Sequence, residues 1–258
     1  MSTMESKLIV PVSRHPGNED TSVGYPVGVA TDKGPRRPAN ADAYAAHLVA
    51  DTQAAVVFDG TGSEPDVVEF AAHAAWTAAR VAARKGPGYA ILHAAELNAI
   101  PDSGRESGSD AGLPEPDGAI VVATVHPTAG WSIAHAGDCT AFSFHDGRAR
   151  RVTHAHTVAQ LLRDFGLPDD VAAGRDHQLI HSLGRARPGT VPVRRFEAPI
   201  VVLGSDGLKL TEKQVAEVIG DHHADPGAAT AIASDLVAAA RPHTSDDITA
   251  LVAFATAT

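Results

Sequence analysis

The chain has 258 residues, of which 44% are hydrophobic and 5% aromatic, and a formal net charge of −10. That length fills one large core or two small ones, and the negative charge argues against generic binding to nucleic acid or an anionic membrane, which would repel it. A single cysteine, Cys139, excludes an intramolecular disulfide, and no apolar stretch suits a signal peptide or membrane span, so a reducing, cytoplasmic setting is expected.

Residues 1–20 read as a loosely ordered segment, with a single domain over 21–258. Residues 22–42 read as a strand followed by a Gly/Pro/Arg loop. Segments 43–50 and 53–59 read as a hairpin turning at Asp51-Thr52. An Ala-rich helix follows over 65–84, with Val67, Phe70, Ala71, Ala74, Ala78 and Val81 on one face. Pro65 suits its first turn and Gly86-Pro87 ends it. A second helix covers 89–99, and 101–118 is a polar loop. Strands are expected at 119–126, 130–137, 139–147 and 148–153, with Asp146-Gly147 as a hairpin turn. Helical segments at 156–166 and 168–174 precede strands at 191–197 and 199–207. Thr211 and Gln214 form a capping box that opens a helix to about residue 219, a further helix spans 226–240, and a last strand covers 247–255. Strands do not alternate one-for-one with helices. The order argues for an α+β fold in which a β-sandwich is covered by helices.

Asp59 ends the run Val56-Val57-Phe58, Asp206 ends Val201-Val202-Leu203-Gly204-Ser205, and Asp246-Asp247 precede the final strand; Asp42 precedes the hairpin. Each acid sits where an apolar strand meets a turn. Asp-Gly is also an ordinary turn dipeptide, so any one of these acids alone is unremarkable. If the strands are neighbours, the carboxylates converge and repel, and a hard cation such as Mg²⁺ or Mn²⁺ would relieve the repulsion. Gly60 would let its carbonyl approach such an ion. An aspartyl-phosphate mechanism of the haloacid dehalogenase kind is set aside: Phe58-Asp59-Gly60-Thr61 supplies only half of that motif, and Val57 stands where the nucleophile is needed. Of the 14 histidines, His154/His156, His177/His181 and His222/His223 have suggestive spacings but no HExxH glutamate, and read as surface or core residues.

Taken in order, these pieces resemble the metal-dependent serine/threonine protein phosphatases of the 2C type (the PPM family) in their bacterial form. The matching stretches are Arg37-Pro38-Ala39-Asn40-Ala41-Asp42, Val57-Phe58-Asp59-Gly60, Ala136-Gly137-Asp138-Cys139-Thr140-Ala141, Thr153 through Gly166, His181-Ser182-Leu183-Gly184, Gly204-Ser205-Asp206-Gly207-Leu208 and Thr244-Ser245-Asp246-Asp247-Ile248-Thr249. The resemblance implies a four-layer α-β-β-α sandwich of two mainly antiparallel sheets flanked by helix pairs. It implies two Mn²⁺ or Mg²⁺ ions held by Asp59, the Gly60 carbonyl, Asp206 and Asp246. Asp42 would hold metal-bound water, with Asp247 beside the site, and Arg37 would bind the substrate phosphate. A water bridging the ions would hydrolyse phosphoserine or phosphothreonine on a protein. The implied partners are a phosphorylated protein, a serine/threonine kinase or that kinase's targets; neither nucleic acid nor membrane is implied, and a monomer is expected.

The sequence departs from the family at several points. Ala41 replaces a glutamate that helps hold metal-bound water, which weakens the second ion site. Thr61 stands where some relatives carry a histidine, Asp247 replaces an asparagine, and Ala155 replaces an aspartate. Asp117 lies where a third metal would be approached, and Asp138 reads as a structural or supporting acid. A degenerate relative that binds a partner or phosphopeptide without turnover stays open as the alternative.

Overall fold

The computed structural model describes residues 25–98 and 116–255. Within them, β1 (Val27–Asp32), β10 (Ile248–Phe254), β9 (Ile200–Gly204), β6 (Thr140–His145) and β7 (Arg148–Arg151) form one five-stranded sheet in that order. The second sheet runs β2 (Asp42–Val49), β3 (Thr52–Gly60), β4 (Gly118–His126), β5 (Gly130–Ala136) and β8 (Val193–Phe196). Every pairing is antiparallel.

The helices α1 (Pro65–Lys85) and α2 (Pro87–Ala95) cover the second sheet, and α5 (Glu212–Asp221) and α6 (Ala229–Ala240) cover the first. Short α3 (Val158–Asp164) and α4 (Asp169–Ala172) lie in the segment between β7 and β8. The period of two along β3 explains the layering. Val56 and Phe58 face the alanine stripe of α1, including Ala71, Ala74 and Ala78, while Ala55 and Val57 face Val201, Leu203 and Leu251 of the other sheet. Both faces of β3 are therefore buried, and that is why it reads as an unbroken apolar run. The outer face of the first sheet packs Val202 and Val252 against Ile232 and Leu236 of α6. The four-layer α-β-β-α sandwich expected from the sequence is the observed architecture.

Several boundaries differ from the sequence reading. The first hairpin turns at Ala50 and Asp51, not Asp51-Thr52, because Ala50 adopts a φ of 48° and Thr52 already belongs to β3. Alanine rarely takes that conformation, so composition gave no cue. The helix expected over 89–99 runs Pro87–Ala95 and tightens into a 3₁₀ turn, Glu96–Asn98. The helix expected from residue 226 opens as a 3₁₀ turn, Pro226–Ala228, whose Gly227 N–H is capped by Asp225. The Thr211–Gln214 capping box is formed. The 1–20 segment and most of the 101–118 loop lie outside the described residues. No helix among the described residues is long and apolar enough to cross a membrane.

Candidate functional site

Antiparallel register brings the strand-end acids to one end of the sandwich. Asp42 at the start of β2 sits opposite Asp59 near the end of β3, and Gly60 sits opposite Gly118. In the other sheet Gly204, the last residue of β9, is flanked by Ala250 of β10 and Thr140 of β6. The turns carrying Asp206, Asp246-Asp247 and Asp138 thus leave the sheet at the same end.

Hydrogen bonds join the sheets there. Asp206 donates its backbone N–H to Asp59 Oδ2 at 3.1 Å, and Ser205 Oγ donates to Asp42 Oδ2 at 2.7 Å. Ser205 is fully buried and also accepts the Thr249 N–H at 3.0 Å. Gly207 closes the turn because nothing larger fits: a Cβ there would lie 2.0 Å from the Asp247 carbonyl oxygen.

Asp246 and Asp247 are adjacent but do different things. Asp247 is buried, and its two oxygens accept the N–H groups of Gly34 (2.7 Å) and Ala41 (3.0 Å), the two ends of the loop that carries Arg37. Gly34 packs against the 245–246 backbone so closely that a Cβ would meet the Ser245 carbonyl oxygen at 2.6 Å. Asp246 instead pairs with the Arg37 guanidinium, and Arg37 also donates to Ser63 Oγ at 3.2 Å. Arg241 fixes the Asp246 loop from outside, donating to the Asp246 carbonyl at 2.9 Å and to Asp32 Oδ2 at 2.7 Å.

The electrostatics register the crowding. Burial, then Asp206, Asp42 and Asp138, push the Asp59 carboxyl well above the usual carboxylate range. Burial and then Asp246 raise Asp206. Asp42 is pushed up to about 7 by burial, against the hydrogen bonds from Ser205 and Thr249. Asp138 is also pushed up to about 7, by burial and then by Asp206. Burial works against the Arg37 charge, but the hydrogen bond and charge of Asp246 outweigh it and raise its pKa. Two carboxylates about 4 Å apart repel by roughly 4 kcal/mol at an effective dielectric of 20, and a divalent cation between them reverses that sign.

The donor set is all oxygen, which suits a hard divalent cation in its chemistry. As the side chains are placed, no group of three or more His, Cys, Asp or Glu among the described residues could hold a metal ion, and Asp246 is paired with Arg37. Asp59 and Asp206 are in contact and Asp42 is beside them; Asp246 is near enough to raise Asp206 but is paired elsewhere.

Asp117 serves as a tie. Its carboxylate accepts from Gly118 N–H (2.7 Å), Gly184 N–H (2.8 Å) and Ser182 Oγ (2.5 Å). Cys139 is buried, and burial followed by the field of Asp59 and Asp138 holds its thiol protonated. Histidines cluster around residue 156: His135 stacks on His156 at 4.5 Å and His181 meets it edge-on at 5.3 Å. His156 Nδ1 accepts the Gly137 N–H at 3.3 Å, and burial lowers its pKa to about 4, so it packs as a neutral ring. The sequence reading missed Ser205, Ser63, Arg241 and His135. Only Ser205 carried a signal, as the residue preceding a strand-end acid.

No family model matches the sequence, and no curated protein matches it. Solved structures do match. The chain is similar to the PPM Ser-Thr phosphatase MsPP from Mycobacterium smegmatis, at 23% identity and a TM-score of 0.67, over 89% of this chain and 98% of that one. It is similar to the serine/threonine phosphatase of S. agalactiae at 18% identity and a TM-score of 0.71, over 90% and 100%. Serine/threonine phosphatase Stp1 from Staphylococcus aureus matches at 16% identity and a TM-score of 0.68, over 95% and 100%. The chain is built on the fold of the PPM serine/threonine phosphatases, at identities that carry the fold and leave its chemistry to be argued from the site.

Proposed function

We propose that this protein is a phosphoric monoester hydrolase that removes phosphate from phosphoserine or phosphothreonine in proteins, using two Mn²⁺ or Mg²⁺ ions at the acid-rich end of the sandwich. The observation that carries this reading is the convergence of Asp42, Asp59 and Asp206 from two sheets, joined by the Ser205–Asp42 and Asp206–Asp59 hydrogen bonds. The phosphatase fold supports it. When bound, the ions supply the positive charge that makes water acidic enough to attack phosphorus near neutral pH. Asp59, Asp206, Asp246 and the Gly60 carbonyl are the groups that would hold them. The Arg37 guanidinium, delivered by a loop pinned at both ends by Asp247, binds the phosphoryl oxygens and offsets their charge as the ester bond breaks. Asp42 keeps its carboxylate oriented through Ser205 and accepts hydrogen bonds from water at the site. The substrate is a phosphorylated protein in the cytoplasm, such as a serine/threonine kinase or one of its targets, and the enzyme acts as a monomer.

The test is hydrolysis of p-nitrophenyl phosphate and of a phosphothreonine peptide with and without Mn²⁺. Turnover that needs Mn²⁺ and vanishes in Asp59→Asn and Asp206→Asn is expected. Folded protein that is inert with both Mn²⁺ and Mg²⁺ would sink the reading. A second reading, binding without turnover, is favoured by two observations: Ala41 in place of an acid, and the pairing of Asp246 with Arg37.

A further inference from the structure

Asp246 is the acid on which cation and phosphate chemistry meet. Its Oδ1 takes the Arg37 guanidinium and the Asp247 N–H (3.0 Å), and its carbonyl is held by Arg241 at 2.9 Å. The Arg37 and Asp246 side chains are 34% and 32% exposed, so both are reachable from solvent and neither is locked in the core. The Arg37 loop cannot drift away, because Asp247 grips Gly34 and Ala41. The other Arg37 contact at the site is a neutral hydroxyl, Ser63. The guanidinium therefore neutralises a carboxylate that a divalent ion would need.

We propose that Arg37 is an internal counter-ion to Asp246 that competes with a divalent cation for that carboxylate, so that cation binding releases the guanidinium toward a phosphate. This rests on the phosphatase reading and adds a regulatory coupling to it. A cation that takes Asp246 frees Arg37, and a phosphate dianion that takes Arg37 frees Asp246. Each ligand thus strengthens the other, by the same factor in both directions. The competing pair is partly exposed, and such pairs are worth up to about 1 kcal/mol, more when hydrogen-bonded in fixed geometry, which corresponds to a coupling of roughly three- to tenfold.

The experiment is Mn²⁺ titration by calorimetry of the full chain, its Arg37→Ala and Arg37→Gln variants, and Arg36→Ala. Arg36 is the charge control: it is exposed and its guanidinium goes to Ser245 Oγ at 3.1 Å, not to Asp246. Arg37→Gln keeps the bulk of the side chain in case the alanine variant fails to fold. Mn²⁺ affinity should rise about three- to tenfold in both Arg37 variants and by less than about twofold in Arg36→Ala, where salt screens the charge. Mn²⁺ binding in the Arg37 variants alone also supports the proposal. Equal or weaker affinity in the Arg37 variants, or the same gain in Arg36→Ala, overturns the counter-ion and leaves the hydrolase reading standing. Absence of Mn²⁺ binding in every form overturns both.

Discussion

Replacing Asp247 by asparagine tests how the Arg37 loop is held. Asp247 is 4% exposed and accepts two backbone N–H groups, from Gly34 at 2.7 Å and Ala41 at 3.0 Å. A hydrogen bond to a charged acceptor contributes about 1.5–3 kcal/mol, and a buried N–H left without a partner loses that in full. Asparagine can keep one of the two bonds; its amide NH₂ then faces the other N–H. Asp247→Asn should therefore cost about 1.5–3 kcal/mol, and Asp247→Ala roughly double. One effect opposes this: Asp247 is among the charges that raise the Asp42 carboxyl, so neutralising it relieves some repulsion. It ranks behind burial and two hydrogen bonds among the influences on Asp42, so the lost bond should win. For a chain of this length each kcal/mol moves Tm by about 2–4 °C, giving a fall of roughly 3–12 °C for the asparagine variant. If Arg37 binds phosphate, KM for a phosphopeptide should rise more than kcat falls, because the loop loosens while the strand-end acids stay put. A melting temperature within about 1 °C of the parent would show that Gly34 and Ala41 find other partners, and would refute the clamp.

Two other expectations follow from the same end of the sandwich. The Asp138 carboxyl, at about 7 when folded against an ordinary 3.8, keeps its proton in the folded chain between pH ~4 and ~7 while the unfolded chain has released it; stability therefore falls as pH rises through that window, with the full penalty above ~7. Asp138→Asn should lie above the parent in urea midpoint at pH 8 and show a shallower fall from pH 5 to pH 8, though not a flat one because Asp42 titrates over the same range; an unchanged slope counts against burial as the cause. Asp117→Ala removes the acceptor for Gly118, Gly184 and Ser182, so limited proteolysis should cut faster within 156–184 while Mn²⁺ affinity stays within about twofold; an unchanged digestion pattern means the tie carries nothing, and a large loss of affinity returns Asp117 to the metal site.

The strand-end acids were legible because their signal is local. An apolar run buried on both faces and broken by Asp-Gly announces a carboxylate at a strand terminus, and Asp59 and Asp206 stand there. What the sequence could not show was the work of Asp247: it is buried and grips Gly34 and Ala41, while Asp246 meets Arg37. Arg241 gave no signal at all. It reaches Asp32 and Asp246 because a 3₁₀ turn, Arg241–His243, swings it across the end of β1, a contact that exists only once the sheet is assembled. His135 was hidden for the opposite reason: it occupies an inward position of β5 where an apolar residue is the default, and only the arrival of His156 and His181 from the later segment makes the stack.

Ala41 shows how such a site can change its chemistry without changing its fold. The position is 2% exposed, and both of its backbone groups are in use: its N–H goes to Asp247 Oδ2 at 3.0 Å and its carbonyl accepts the Gly60 N–H at 3.2 Å. Those bonds set the Arg37 loop against the end of β3 whatever the side chain is. Asp42 is likewise oriented by Asn40, Ser205 and the β2–β3 register, none of which involves the side chain at 41. Under the phosphatase reading, exchanging an acid for alanine here removes a group that steadies water around one ion and leaves Asp59, Asp206 and the Gly60 carbonyl in place. Asp246, which would also hold an ion, is the carboxylate that Arg37 already holds. Under that reading, loss of the acid at 41 and the Arg37–Asp246 pair would each weaken the hold on a divalent ion. Restoring the acid with Ala41→Glu should strengthen one Mn²⁺ position and leave the other unchanged, and a calorimetric titration that resolves two Mn²⁺ sites separates this from a general gain in negative charge, which would strengthen both.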